Sequence, residues 1–275
     1  MRSTIALAVA ALAPCLLVGC ASYYNAPGAA ADMSVFGVSG AAQAALTDST
    51  VASAMQRRPA ASLPTVLAVA RVQGSGYTSH GACGYGNGRY SVVTSLDAER
   101  PEDIDRLRKL AMVRDVVFMN RLVLPRDLNS DIDLRAAAGA LHADMLLVYT
   151  FDTTFRTEDF ASPLTVVTLG LFPGKSAKVH TTASAAILDT RTGYIYATAT
   201  GASKQSQLAN AWTSDEAADD ARLRAEQEAL GEVLTSLEQT WPRLVMDSPN
   251  WSRAAPTAGA GNAPAGSTYW TVPGR

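Results

Sequence analysis

Residues 65–72 read Thr-Val-Leu-Ala-Val-Ala-Arg-Val, a compact β-branched and aliphatic run that follows Pro64. A short continuous apolar run of this kind predicts a buried strand. Residues 74–88 hold six glycines, two tyrosines and Cys83, and predict a loop. Residues 90–94 predict a short strand. Pro101, Glu102 and Asp103 then open a helix, because proline suits the first helical position and carboxylates suit the positive end of the dipole. Its apolar stripe is Ile104, Leu107, Leu110 and Ala111. Residues 115–124 predict a second strand, stopped by Pro125. Ser130 or Asp131 caps another short helix with Leu134, Ala138 and Leu141 inward. Residues 144–155 predict a third strand, strongest over 145–149.

From there the alternation of strand and helix gives way to strand after strand. Residues 164–172 and 179–188 predict two strands, the second ending in the polar turn Asp189, Thr190, Arg191, Thr192, Gly193. Residues 194–200 return, with Tyr194 and Tyr196 on one face and Ile195 on the other, as a period of two requires. Thr213 and Glu216 fit a capping box at the start of a long helix. Leu223, Leu230, Leu234, Leu237 and Trp241 form its stripe, Ala225, Ala229 and Val233 widen it, and Pro242 is expected to end it. The order β-α-β-α-β followed by antiparallel strands predicts an α/β fold. The expected architecture is a single mixed sheet with a long C-terminal helix and flexible termini.

The amino terminus changes the picture. Arg2 precedes an uncharged apolar run over residues 5–18, closed by Gly19 and Cys20. This is the layout of a bacterial export signal, and Leu17-Val18-Gly19-Cys20 resembles a lipobox, where a signal peptidase cuts before a lipid-modified cysteine. The run is shorter than the about 20 apolar residues a spanning helix needs. The expected organisation is therefore a lipoprotein signal peptide over 1–19, with a palmitate-type lipid on Cys20. A lipid-anchored flexible tether follows over 20–62, with one weak helix around 41–56. An α/β periplasmic domain occupies 63–246 and a disordered tail 247–275. A free tether of that length has an r.m.s. span of roughly 35 Å. Ala21 rather than Asp follows the cysteine, which points to the outer membrane. The expected location is the cell outer membrane, facing the periplasm.

Charge and cysteine count exclude several function classes. The chain carries 23 basic and 25 acidic residues, a balance of −2 that becomes −3 once Arg2 leaves with the signal. That is no electrostatic footprint for nucleic acid. Of three cysteines, Cys15 leaves with the signal and Cys20 takes the lipid, so Cys83 has no intramolecular disulfide partner. His80 and Cys83 are three apart, but a metal site needs further ligands and only His142 and His180 remain. His142 is expected to end a helix and His180 to lie in a strand. Gly170 to Ser176 resembles the end of a phosphate-binding loop, yet three residues stand between its glycines where that motif has four; a hairpin turn is the expectation. The acid pairs Asp103/Asp105 and Asp131/Asp133 fall at helix starts, where carboxylates are expected in any case. Asp152 and Asp159 flank a hairpin end. No catalytic, cofactor or metal residue is expected, and the chain is read as a non-enzyme.

Three stretches resemble a group of bacterial envelope lipoproteins that includes the curli-secretion channel lipoprotein and the lipoprotein activator of penicillin-binding protein. They are Val66-Leu67-Ala68-Val69, the helix-to-strand step over 140–148, and the Asp-x-x-Thr-Gly hairpin with its aromatic strand over 185–196. Coverage is about residues 64–242. The soluble part of those proteins is an α/β domain similar to the amino-terminal domain of the Tol-Pal propeller protein. The resemblance implies a non-catalytic binding or scaffold component in envelope assembly or maintenance. The expected partners are the membrane, through Cys20, and an envelope protein or a second copy of the chain. An oligomeric export or channel component is the alternative, and an envelope-polymer hydrolase the second alternative. The channel member builds its pore from amphipathic hairpins; residues 164–172 lack the alternation of lipid-facing and lumen-facing positions that this requires.

Overall fold

The computed structural model describes residues 27–32, 48–159, 175–209 and 214–247. Its elements in chain order are α1 (Asp48–Gln56), β1 (Thr65–Gly74), β2 (Gly84–Tyr85), β3 (Asn87–Gly88), β4 (Tyr90–Val93), α2 (Pro101–Arg108), β5 (Val113–Phe118), β6 (Asp127–Leu128), α3 (Asp131–Ala140), β7 (Met145–Asp159), β8 (Lys175–Asp189), β9 (Ile195–Ala209) and α4 (Ser214–Asp247). β1 is the hub of a seven-stranded mixed sheet. Along one edge it pairs in parallel with β7 over 67–70. The other edge is shared by β5, parallel over 65–69, and β4, antiparallel over 71–74. Beyond β7 the antiparallel strands β8 and β9 complete the sheet. The fold is the expected α/β architecture with crossover helices and a long C-terminal helix.

The even and odd residues of β1 feed two cores, because successive side chains of a strand point to opposite faces. Leu67 and Val69 join Leu147, Ile187, Leu107 of α2 and the apolar stripe of α4. Val66, Ala68, Ala70 and Val72 join Leu146, Val148, Leu188 and, from α3, Leu134, Ala137 and Ala138. Asp103 caps α2 through Arg100, and Asp133 caps α3 by accepting from the Ser130 amide at 2.8 Å. Trp241 is fully buried and its indole Nε1 donates to the Ala111 carbonyl at 2.7 Å, so its one polar atom is satisfied.

Several boundaries differ from expectation. β5 ends at Phe118 rather than reaching residue 124. Asn120 closes a turn there, its side chain accepting from the Leu122 amide at 2.9 Å, a local bond that competes with strand pairing. The glycine-rich stretch contains β2 and β3. α4 does not stop at Pro242: the helix runs through it to Asp247. Pro242 is exposed, while Val245, one turn on, is buried in the core and holds the final turn in place. Leu223 is only half-buried; its neighbour Arg222 points inward instead. The expected strand over 164–172, the start of the capping box at Thr213, Cys20 and the tail beyond 247 lie outside the described residues.

The stretch read as a free tether is bound to the domain in two places. Ala30 forms an antiparallel bridge with Gln73 of β1, the Gly74 amide donates to the Ala29 carbonyl at 2.8 Å, and the Ala31 amide donates to Thr150 Oγ1 at 2.9 Å. At the opposite end of the sheet, residues 57–61 are held on the turn that follows β8. There the Ala60 amide donates to Asp189 Oδ2 at 2.6 Å and the Thr192 hydroxyl to the Arg58 carbonyl at 2.8 Å. Burial alone would raise the Asp189 pKa. The Thr192 and Ala60 amides, the Tyr196 hydroxyl and the Arg191 amide outweigh it and hold the carboxyl below its usual value. The short helix of this region, expected around 41–56, is α1.

Gly201 sets how closely α4 can lie on β9. A Cβ there would stand 2.4 Å from the Ala229 carbonyl oxygen, a backbone atom that cannot swing away. Gly201→Ala is expected to destabilise the fold by about 1–3 kcal/mol. Gly139 is the contrasting case, since the nearest atom to its added Cβ is 4.0 Å away. Gly139→Ala in α3 is expected to stabilise by roughly 0.5–1 kcal/mol. Thermal and urea unfolding of the two variants checks both signs.

Candidate functional site

The residues singled out in the sequence do not converge. His80 and Cys83 are exposed in the loop after β1, His142 ends α3 in the left-handed region with φ 55°, and His180 is exposed on β8. Asp103 and Asp131 are buried at helix starts, and Asp131 pairs with Arg135 at 2.9 Å. Asp152 is exposed on β7, while the side chain of Asp159 lies outside the described residues. The Cys83 sulfur stands 3.6 Å from Arg121, whose guanidinium lies over the Tyr85 ring. Among the described residues no group of three or more His, Cys, Asp or Glu could hold a metal ion.

The structure instead gathers charges that lie far apart in the sequence. Arg71 of β1 and Arg222 and Glu226 of α4 are buried between sheet and helix. Arg71 donates to Asp97 Oδ1 at 2.6 Å, to Glu226 Oε2 at 3.3 Å and to the Tyr77 hydroxyl at 3.0 Å. Its guanidinium carbon stands 4.9 Å from the centre of the Phe151 ring, a cation–π contact. Arg222 donates to the same Glu226 oxygen at 2.8 Å and to Asp219 at 2.9 Å. Thr153 donates to the other Glu226 oxygen at 3.2 Å, and the Tyr149 hydroxyl donates to Glu99. Two guanidiniums thus face four carboxylates, those of Asp97, Glu99, Asp219 and Glu226.

The excess of carboxylates and their burial explain the titration of the cluster. Desolvation raises the Glu99 and Glu226 pKa values above the usual range against the pull of Arg71. Among the described residues Glu99 Oε2 has no hydrogen-bond partner, and its side chain lines an apolar cavity of about 20 Å³ with Leu107, Leu147, Leu230 and Leu234. Burial alone would lower both arginine pKa values; the carboxylates, Glu226 first among them, outweigh it and keep both firmly protonated. With both guanidiniums, Glu99 and Glu226 buried and cross-bonded in this way, the cluster is a pin that fixes α4 on β1. One signal in the sequence marks it: Arg71 interrupts an apolar run, and Arg222 and Glu226 stand four apart beside Ala221 and Ala225 of the buried stripe.

An accessible charged feature lies farther along the same strands. β7, β8 and β9 each run 15 residues, well past the end of β1. On the face toward α4, Phe155 packs with Val179, Ala221 and Ala225. On the reverse face Arg156, Lys178, His180 and Lys204 are exposed around a shallow groove of about 690 Å³. The ladder sets Arg156 opposite Lys178 and His180 between Thr154 and Lys204. Like charges directly across a ladder repel unless neighbouring groups compensate. We take this face as the candidate binding site.

No family model matches the chain, and no curated protein matches it. Among solved structures, a hypothetical protein from Chlamydia trachomatis matches at 13% identity over 64% of this chain and 96% of that one, with a TM-score of 0.29. A likeness that slight carries no argument about function.

Removing one member of the pin strands its partners. Arg222→Met is expected to cost about 3–5 kcal/mol in urea unfolding, the usual result of leaving a buried charge unpaired. The pH dependence has a definite sign. Glu99 and Glu226 have folded pKa values raised above 4.5, so their contribution to stability is complete below 4.5 and is lost as pH rises through the folded values. Asp189 acts oppositely, but only as pH falls below 3.8. Stability measured from pH 4.5 upward is therefore expected to decline, and Glu99→Gln to flatten that decline.

Proposed function

We propose that this chain is a lipid-anchored protein of the bacterial outer membrane, facing the periplasm, that acts by binding rather than catalysis. Its role in this reading is that of a scaffold in envelope assembly or maintenance. One observation supports it above the others. The segment that follows Cys20 by seven residues is paired to the central strand of the domain at Ala30 and Gln73. A domain that grips its own chain so close to the lipid site is suited to work at a membrane surface. The buried charges serve packing, and the exposed basic face of β7, β8 and β9 offers the surface for a partner. No helix among the described residues is long and apolar enough to cross a membrane, and an acyl anchor meets the need for attachment without one.

Labelled palmitate tests the anchor. The wild-type chain is expected to take up the label and fractionate with outer membranes. Cys20→Ser is expected to lose the label and either remain uncleaved or appear in the soluble periplasm. Unchanged labelling of Cys20→Ser overturns the anchor. Native mass in mild detergent separates the scaffold from an oligomeric channel: a monomer or dimer fits the first, and a large closed ring the second.

A further inference from the structure

We infer that the groove lined by Cys83, Tyr85, Asn87, Arg121 and Arg126 binds a terminal oxyanion, the phosphate or carboxylate group of a small ligand. The inference goes beyond the anchor and the basic face and rests on neither. β1 and β5 are parallel neighbours. The stretches that follow their carboxyl ends, 75–89 and 119–126, meet at this groove of about 280 Å³. That end of the parallel strands is where α/β sheets hold their ligands. Pockets that enclose a whole small molecule run from about 300 to 1,000 Å³, so this groove fits the anionic end of a ligand and leaves the rest outside.

Both stretches are held in place. The Asn87 amide donates to the Arg126 carbonyl at 2.7 Å, and the Arg89 amide to the Leu128 carbonyl at 2.9 Å. Gly86, at φ 96°, lies against Leu128, where a Cβ would stand 2.4 Å from Cδ1. Arg121 is positioned by neutral groups. Its guanidinium carbon stands 5.8 Å from the centre of the Tyr85 ring, and Nη2 donates to the Cys83 sulfur at 3.6 Å. Among the described residues no carboxylate accepts from the side chain of Arg121 or Arg126. Guanidinium donors left over in this way form the fork that suits a carboxylate or phosphate. The described residues that line the groove include two cations and no acid. Two carboxylates stand close by. Asp127 is opposite Asn87 in the ladder of β3 and β6, so one acid borders the site. Asp97 lies 3.8 Å from where Gly81 would carry a Cβ, but it is bonded to Arg71 and Arg222. Two cations against one bordering acid leave the groove positive, and an oxyanion supplies the acceptor it lacks.

Cys83, which is exposed, serves the test as reporter. In the chain of residues 20–275 with Cys20→Ser, which contains every described residue, it is the one thiol. Its alkylation by anionic iodoacetate is compared with its alkylation by neutral iodoacetamide. The ratio of the two rates, set against the same ratio for a small free thiol, reads the attraction of anions and cancels changes in thiol reactivity. The ratio for the unsubstituted groove is expected to exceed that of the free thiol. Arg121→Gln and Arg126→Gln should each lower it about threefold. Asp127→Asn, which removes the bordering acid, should raise it. An unaltered melting temperature shows that these exposed substitutions spare the fold. Inorganic phosphate or acetate should slow the iodoacetate reaction about twofold relative to chloride at equal ionic strength. Protection by phosphate, by acetate or by both supports the site and names its oxyanion. A ratio equal to that of the free thiol overturns the inference, as does a ratio unmoved in the Arg121→Gln, Arg126→Gln double variant. So does protection by phosphate and acetate no greater than that by chloride, which marks general screening without a site.

Discussion

β1 and β7 pair for only four residues, through Ala70 and Val148, and then separate. β1 continues to Gly74 beside β4, and β7 continues for eleven more residues beside β8. Each strand leaves backbone donors and acceptors along the divide, and such groups are costly when buried without partners. The rest of the molecule is arranged around filling that divide. In the plane of the sheet, residues 27–32 supply a short stretch of backbone, and Thr150 Oγ1 ties them to β7 while lying 2.8 Å from the Gln73 side-chain amide. On the face toward α4, the filling is the Arg71 cluster.

That second filling decides the character of the helix. An arginine at position 71 must be buried, because the strand is covered on both faces, and it must then be met by carboxylates. α4 supplies Glu226 and, one turn earlier, Arg222, while the segment between β4 and α2 supplies Asp97 and Glu99. Small residues at 217, 221, 225 and 229 let the helix approach, and Gly201 lets β9 do the same. A network of this type is seldom a net source of stability compared with an apolar core of equal volume. Its contribution is to admit one placement of α4 on the sheet.

How much of this was legible in the sequence depends on range. Apolar periodicity located β1, β7, β8 and the stripe of α4, because each burial pattern is contained within one element. Pro101 and Ser130 marked helix starts for the same local reason. Pro242 misled, since a local rule for ending a helix ignores the buried Val245 beyond it. Residues 27–32 and 57–61 read as tether because Ala, Gly and Pro predominate there. Their attachment runs through backbone amides and carbonyls, to which composition is blind. The basic face was equally hidden: Arg156, Lys178, His180 and Lys204 are far apart in the chain and become neighbours only through the register of β7, β8 and β9.

The pairing of residues 27–32 with β1 both fills the divide and fixes the end of the sheet from which the chain leads back toward Cys20. Amide hydrogen exchange on the lipid-anchored protein measures this directly. The amides of Gly28 and Ala31, which donate to the Thr78 carbonyl and to Thr150, should exchange as slowly as that of Gly74 at the end of β1. Exchange of Gly28 and Ala31 at the rate of an unstructured chain, with Gly74 still protected, would contradict it and return the segment to a free tether.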